Sequence, residues 1–183
     1  MINKKSILLM LSSLFLFWNC NEGSTLTNSP GEEDKIQVNT SFEKNGNPSA
    51  DGWIISQPPL GNFITDTPPD GGTYSVALEA GNPFGGEATI TVKSLTNFDI
   101  YNLSFYAKFE KIKGTAGLFF IKDGAVSKGN IISVTDTSWT LYSIIDTFQT
   151  STGDSIKILF RGGTTPIIAG KTFFDLCKLE AVE

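Results

Sequence analysis

Histidine is absent from all 183 residues. That absence removes His-containing zinc sites, imidazole general bases, and the Ser-His-Asp and Cys-His routes to nucleophilic catalysis. Charge is sparse, at 18% Asp, Glu, Lys and Arg, and Arg161 is the single arginine among 14 basic residues that face 19 acidic ones, for a net charge of −5. A protein that tracks nucleic-acid phosphates needs the opposite balance. The chain has neither a GxxxxGK[ST] loop nor a GxGxxG between strand and helix, and no internal repeat of solenoid length. From about Ile36 to Glu183, no segment holds a helical apolar period for more than two turns. What remains is 40% hydrophobic and rich in Phe (14) and Gly (18), which fits one folded domain with a short appendage.

The appendage is N-terminal. Asn3-Lys4-Lys5 is a short basic start, and Ile7 to Trp18 is an apolar run interrupted only by Ser12 and Ser13. That run is too short to span a bilayer comfortably and suits a signal-peptide core. It stops at Asn19-Cys20-Asn21-Glu22, and from Cys20 to Asp34 the chain turns polar and ends in Glu32-Glu33-Asp34, a flexible tether. A Cys at this junction resembles the lipobox of bacterial lipoproteins, in which cleavage before the Cys is followed by acylation of its thiol. Phe17-Trp18-Asn19 matches that pattern in position rather than in residue type. The alternatives are an ordinary secretory signal with a coincidental Cys and a hydrophobic N-terminal helix that is never cleaved. The expectation is a signal peptide over 1–19, a tether over 20–35 and a domain over 36–183, anchored through Cys20 at the cell envelope, in the outer membrane, facing periplasm or exterior. With Cys20 acylated, Cys177 has no partner within the chain and reads as a small buried apolar side chain. Loss of Lys4 and Lys5 moves the net charge from −5 to −7, so acyl chains rather than charge would hold the membrane.

From Ile36 onward, short β-branched and aromatic runs alternate with Gly, Pro, Asn, Asp and Ser clusters, as in a β-sandwich or barrel. The runs are Ile36-Phe42, Trp53-Gln57, Thr73-Glu79, Glu87-Leu95, Tyr101-Glu110, Thr115-Lys122, Ile131-Val134, Trp139-Phe148, Ser155-Arg161 and Lys171-Glu180. Alternation is clear in Ala88-Thr89-Ile90-Thr91-Val92. In Ser155-Arg161, Ile156, Ile158 and Phe160 take one face, and Lys157 and Arg161 take the other. Leu103, Phe105, Ala107 and Phe109 share a face opposite Tyr106. Asn45-Gly46-Asn47-Pro48, Thr67-Pro68-Pro69-Asp70-Gly71-Gly72 and Lys122-Asp123-Gly124 are turn-forming, and Asp66 and Asp70 are expected there for turn reasons alone.

Segments spread along the chain, taken in order, resemble family 4/9/22-type carbohydrate-binding modules. Val38-Asn39-Thr40-Ser41-Phe42-Glu43, followed by Asp51-Gly52-Trp53, is similar to their N-x-x-F-E … G-W opening. Gly72-Thr73-Tyr74-Ser75-Val76-Ala77-Leu78 is similar to G-x-Y-A-L, and Tyr101 to Lys108 to Y-x-L-S-F-W-A-K. Trp139-Thr140-Leu141-Tyr142 and Phe173-Phe174-Asp175-Leu176 resemble the W-x-x-Y and closing F-Y-D-D-V strands. The resemblance spans Ile36 to Glu183. It implies an all-β jelly-roll sandwich of the galactose-binding-like type without catalytic machinery, and a structural Ca²⁺ held by Glu43 and Asp175, with Gly72 and Ser75 as loop contributors. Two carboxylates plus backbone carbonyls can supply an oxygen shell for that ion. Leu176 stands where a second Asp is common, and the two carboxylates can instead serve as strand-end caps.

Sugar recognition needs flat apolar surface for C–H faces and planar polar groups for hydroxyls. Trp53, Phe84, Tyr106 and Arg161 are the candidate ligand-binding residues, with Phe63 of the same type; Tyr106 and Arg161 are read as outward residues of neighbouring strands. Trp53 serves either the core or the ligand, and Phe84 either an exposed loop or the end of the sandwich. Trp139 is set aside as a core anchor. No strand carries the alternate carboxylates of a jelly-roll glycoside hydrolase. The expected function is non-catalytic polysaccharide or oligosaccharide binding, and the alternative is a structural or protein-docking module of an envelope complex.

Overall fold

The computed structural model describes residues 36–83, 85–94, 98–165 and 170–182. Cys20, Phe84 and the residues expected to form a signal peptide and tether lie outside the described residues. Among the described residues there are thirteen strands and no helix: β1 (Ile36–Thr40), β2 (Glu43–Lys44), β3 (Asn47–Pro48), β4 (Ile54–Ile55), β5 (Gly61–Ile64), β6 (Ser75–Glu79), β7 (Glu87–Lys93), β8 (Ile100–Glu110), β9 (Thr115–Lys122), β10 (Ala125–Ser133), β11 (Thr140–Thr147), β12 (Ser155–Arg161) and β13 (Lys171–Val182).

They form a jelly-roll sandwich. The back sheet runs β11-β8-β13-β6-β5, with β1 also pairing β13, and the front sheet runs β10-β9-β12-β7-β4. All the ladders are antiparallel. Turn chemistry sets the hairpins. Asn45-Gly46 and Asp123-Gly124 are two-residue loops with both residues at positive φ, the geometry that matches the right-handed twist of flanking strands.

The period-two pattern decides the core. Ile156, Ile158 and Phe160 of β12 and Leu103, Phe105 and Ala107 of β8 are fully buried, and Cys177 is buried beside them as a free thiol. Burial raises that thiol's pKa and keeps it uncharged. Aromatic rings bridge the layers. Phe160 stacks on Phe174 of the opposite sheet at 4.4 Å and 3°, and packs against Phe105 at 5.0 Å and Trp53 at 5.1 Å. Truncating such a ring leaves a cavity as well as lost transfer energy, so Phe160→Ala would cost about 3–5 kcal/mol.

Three features depart from the sequence reading. Gly61–Ile64 forms edge strand β5, hidden in the sequence behind Pro58-Pro59. A two-residue strand on either side of Asn45-Gly46 makes the β2–β3 hairpin, where Asn47-Pro48 reads in the sequence only as part of a turn. β10 begins at Ala125 rather than Ile131, because Ala125 to Gly129 is exposed, Val126 included, and carries no core-facing pattern.

Candidate functional site

Strand register sorts the predicted residues onto surfaces. Arg161 lies on β12 of the front sheet, beside Glu87 of β7 and Thr115 of β9. Its Nε donates to Glu87 Oε1 at 2.7 Å, which holds the guanidinium along the sheet. Tyr106 lies on β8 of the back sheet, between Leu141 of β11 and Asp175 of β13. The two are therefore not on neighbouring strands and form no common groove, contrary to the sequence reading. Alternation within each strand was legible, but which strands share a sheet depends on long-range pairing.

Trp53 is 5% exposed and sits between Phe42 and Phe160. Its core role is clear, yet its Nε1–H is buried without an acceptor. Trp139 reverses its expected place: it is half-buried on the outer side of the back sheet and donates its Nε1–H to Asp66 Oδ1 at 3.0 Å. Lys108 Nζ donates to Asp66 Oδ2 at 2.6 Å and lies over the rings of Trp139 and Phe173. Asp66 is thus more than a turn residue. Those two donors hold its carboxyl below the usual range, against the opposing effect of partial burial, which is the largest single influence. The W-x-x-Y residue that turns inward is Tyr142, stacked on Phe105 at 5.7 Å.

The front sheet presents a surface that the sequence reading did not single out. Across the strands, Ile131, Gly117, Leu159, Thr89 and Ile54 form one row of its outer side; Gly129, Phe119, Lys157 and Thr91 form the next. Ile131 and Ile54 are 56% and 77% exposed. Phe119 is half-buried, with its ring lying across two glycines. A Cβ on Gly117 would come within 2.5 Å of that ring, and a Cβ on Gly129 equally close from the opposite strand. The ring covers the backbone of both glycines, and the side chain as a whole is only half-buried. With Arg161–Glu87 and Lys157 on the same side, this surface combines a flat apolar platform with planar and charged hydrogen-bonding groups. The signal in the sequence was Gly117-Leu118-Phe119 followed by Gly129, which becomes meaningful only once β9 and β10 are paired in register.

A second arrangement lies at the break in β13. Register shifts between Asp175 and Lys178, where the partner on one side changes from β6 to β1, and Leu176 has φ 46°. Asp175 is fully buried; its Oδ1 accepts the Leu176 N–H at 2.8 Å, and its Oδ2 has no partner. A Cβ on Gly71 would lie 2.6 Å from that Oδ2, and one on Gly72 would run into Glu43 Oε1. Glu43 Oε2 accepts the N–H groups of Thr73 and Tyr74 at 2.6 and 3.2 Å. Gly71-Gly72 thus pass directly against both carboxylates, and Gly72 at φ 72° needs its freedom both for the turn and for this approach. Burial pushes the Asp175 carboxyl up to about 7, and the charge of Glu43 adds to it against the favourable Leu176 N–H. Ser75 is buried, and its Oγ donates to the Asp66 carbonyl at 2.6 Å. An orphaned buried carboxylate oxygen beside a second carboxylate and a glycine pair is a donor set that fits a hard cation. Among the described residues no three His, Cys, Asp or Glu side chains come together, so the remaining ligands would be carbonyls or water.

The jelly roll is shared with solved carbohydrate-binding modules. The CBM22-1 xylan-binding domain of Paenibacillus barcinonensis Xyn10C superposes with a TM-score of 0.55 at 12% identity, over 81% of this chain and 95% of that one. A family 16 carbohydrate-binding module gives 0.50 at 21% identity, over 73% and 92%. The enzymatically active domain of bacteriophage CBA120 tailspike protein 4 gives 0.57 at 18% identity; the match covers 81% of this chain but spans only 22% of that longer chain. No protein-family model and no curated protein matches the sequence. The expected carbohydrate-binding-module fold is therefore borne out in architecture, at identities where only the fold carries over.

Proposed function

We propose that this chain is a non-catalytic glycan-binding protein whose contact surface is the outer side of the front sheet. The observation that carries the reading is Phe119, whose ring lies flat over Gly117 and Gly129 on the same side as Arg161, Glu87 and Lys157. A sugar presents a C–H face that stacks on such a ring, while its equatorial hydroxyls reach the guanidinium, carboxylate and ammonium around it. The likeness of the fold to binding modules of families 22 and 16 supports the same reading. Of the residues picked from sequence, Arg161 belongs to this surface; Tyr106 is on the other face, and Trp53 is buried in the core.

The function is tested by affinity electrophoresis through a panel of polysaccharides. Retardation by one polymer, lost in Phe119→Ala, is expected; no retardation across the panel would overturn it. Ca²⁺ is proposed at Glu43, Asp175 and the Gly72 loop, as a structural ion that ties the β13 break to the loop before β6. A melting temperature higher in Ca²⁺ than in chelator, with the difference lost in Glu43→Ala, supports it, and an unchanged melt would overturn it. Anchoring through an acylated Cys20 at the bacterial envelope completes the proposal. Radiolabelled palmitate incorporated by the wild type and not by Cys20→Ala is the expected result.

Protein docking is a second reading, favoured by one observation. β10 and β11 are edge strands, and Leu141 and Ile145 are 57% and 64% exposed on the latter. Exposed apolar edges are surfaces that partner strands extend. Association unaffected by Phe119→Ala but lost in Ile145→Lys would favour docking over glycan binding.

A further inference from the structure

Charge is divided unevenly between the two sheets. The five strands of the front sheet contain Lys93, Lys122, Lys128, Lys157 and Arg161 and a single acid, Glu87. The back-sheet strands contain three lysines and five acids. Each of those three lysines has a carboxylate partner: Lys108 with Asp66, Lys171 with Glu79 and Lys178 with Glu180. The positive excess of the front sheet therefore stands out in a chain whose net charge is −5.

Two of these cations lie on the outer side with nothing to neutralise them. Lys157 of β12 pairs in register with Phe119 of β9 and Thr91 of β7, and Lys93 pairs with Ser155 one row further along. Directly opposed residues of antiparallel strands lie about 5 Å apart at Cβ and diagonal ones about 7–8 Å, so Lys157 borders the ring and Lys93 stands on the next diagonal. Among the described residues neither ammonium has an ion pair or a hydrogen-bond acceptor. Glu87, the one acid of the sheet, is two rows from Lys157 and is held by Arg161, whose Nε donates to its Oε1 at 2.7 Å.

We infer that the glycan taken by this face is acidic, with a carboxylate or sulfate group seated against Lys157 and Lys93 while a sugar ring of the same chain stacks on Phe119. The inference rests on the front-sheet reading and adds to it the class of polysaccharide recognised. A neutral chain makes no use of either cation. A lysine that the fold leaves without an acid gains a charge-assisted hydrogen bond only when a ligand brings the anion. The same charges set a polarity, because Glu87 repels an acidic group at the Arg161 end and leaves the Lys157 end to receive it. An anionic lipid surface is the poorer occupant, since it would also meet the net negative charge of the rest of the chain.

The test uses the full-length protein and calorimetry with oligogalacturonates, oligoglucuronates and sulfated galactan fragments. Each is run beside its neutral counterpart, the methyl esters for the first two and the desulfated fragments for the third. An acidic form is expected to bind about tenfold more tightly than its neutral counterpart, the scale of a hydrogen bond to a charged group. The pair that shows the difference identifies the anion as carboxylate or sulfate. Lys157→Met keeps the stem, removes the charge and is expected to lose about tenfold toward the acidic form and much less toward the neutral one. Lys93→Gln loses several-fold in the same sense, Phe119→Ala weakens both forms, and added salt weakens the acidic form alone. Equal affinity for acidic and neutral forms, lost in Phe119→Ala, would overturn the acidic class and leave the platform standing. Acidic binding lost in Lys157→Met but unchanged in Phe119→Ala would show charge adhesion without stacking and overturn both. Capture by vesicles of anionic phospholipid, with every oligosaccharide inert, would assign the face to a membrane and likewise remove the platform and the acidic class together.

Discussion

The two outer faces of the sandwich carry similar residue types in opposite states. On the back face, Trp139, Lys108, Asp66 and Phe173 are engaged with one another: indole N–H to carboxylate, ammonium to the same carboxylate, and ammonium over both rings. On the front face, the Phe119 ring lies over the backbone of Gly117 and Gly129. The carboxylates repeat the contrast, since Asp66 has donors on both oxygens while Asp175 leaves Oδ2 without a partner. An aromatic or acidic residue signals a site only where its interactions are left incomplete by the fold. The engaged set stabilises the protein, and the incomplete set is available to a ligand.

Four experiments sharpen or break this contrast. The largest effect is expected at Asp175. Its folded pKa of about 7 lies above the unfolded value near 3.8, so between those values the native state holds a proton that the unfolded state has lost. In chelator, its contribution is therefore full below about pH 4 and is lost as pH rises through 7, a span on the order of 4 kcal/mol. Denaturant titrations of the wild type and Asp175→Asn should show a fall of this sign present in the first and absent from the second. With Ca²⁺ the slope is expected to reverse, because the ion binds the deprotonated carboxylate.

Phe119→Ala comes next. It should weaken glycan binding by about 30-fold, the scale of a hot-spot truncation, with little change in melting temperature. Equal affinity would mean that the front face is no platform. Gly129→Ala places a Cβ against the Phe119 ring and tilts it off the sheet; a loss of roughly tenfold is expected, smaller than for removing the ring. The smallest effect belongs to the engaged face. Lys108→Met removes a donor from Asp66 and should cost about 1 kcal/mol in stability while leaving glycan affinity untouched, read by paired denaturation and calorimetry. A loss of affinity in Lys108→Met would place the ligand on the back face and invert the comparison.

How far the sequence reaches can be followed through particular residues. Ser155 to Arg161 declared its two faces by alternation, because a strand's side chains must point in turn to either side. Asn45-Gly46 and Asp123-Gly124 declared their turns, because both positions take positive φ. The strands themselves, the all-β class, and the pairing of Glu43 and Asp175 near Gly72 were legible from local chemistry and from family resemblance. Gly61–Ile64 was not, since its four residues form a strand only against β6. Tyr106 was set beside Arg161 because local pattern fixes which way a side chain points and says nothing of which sheet it belongs to.

The sequence by itself thus determined the secondary-structure type, the inward and outward sides of the long strands, and the exclusion of histidine chemistry, since each depends on residue type or on contacts within a few residues. Only the tertiary structure decided that Phe119 lies on Gly129, that Trp139 is held by Asp66, that Asp175 Oδ2 has no partner, and that Lys157 stands beside Phe119. Each of those facts joins residues far apart in the chain or counts the partners of a buried atom, and both quantities exist only after the sheets have paired and closed on each other.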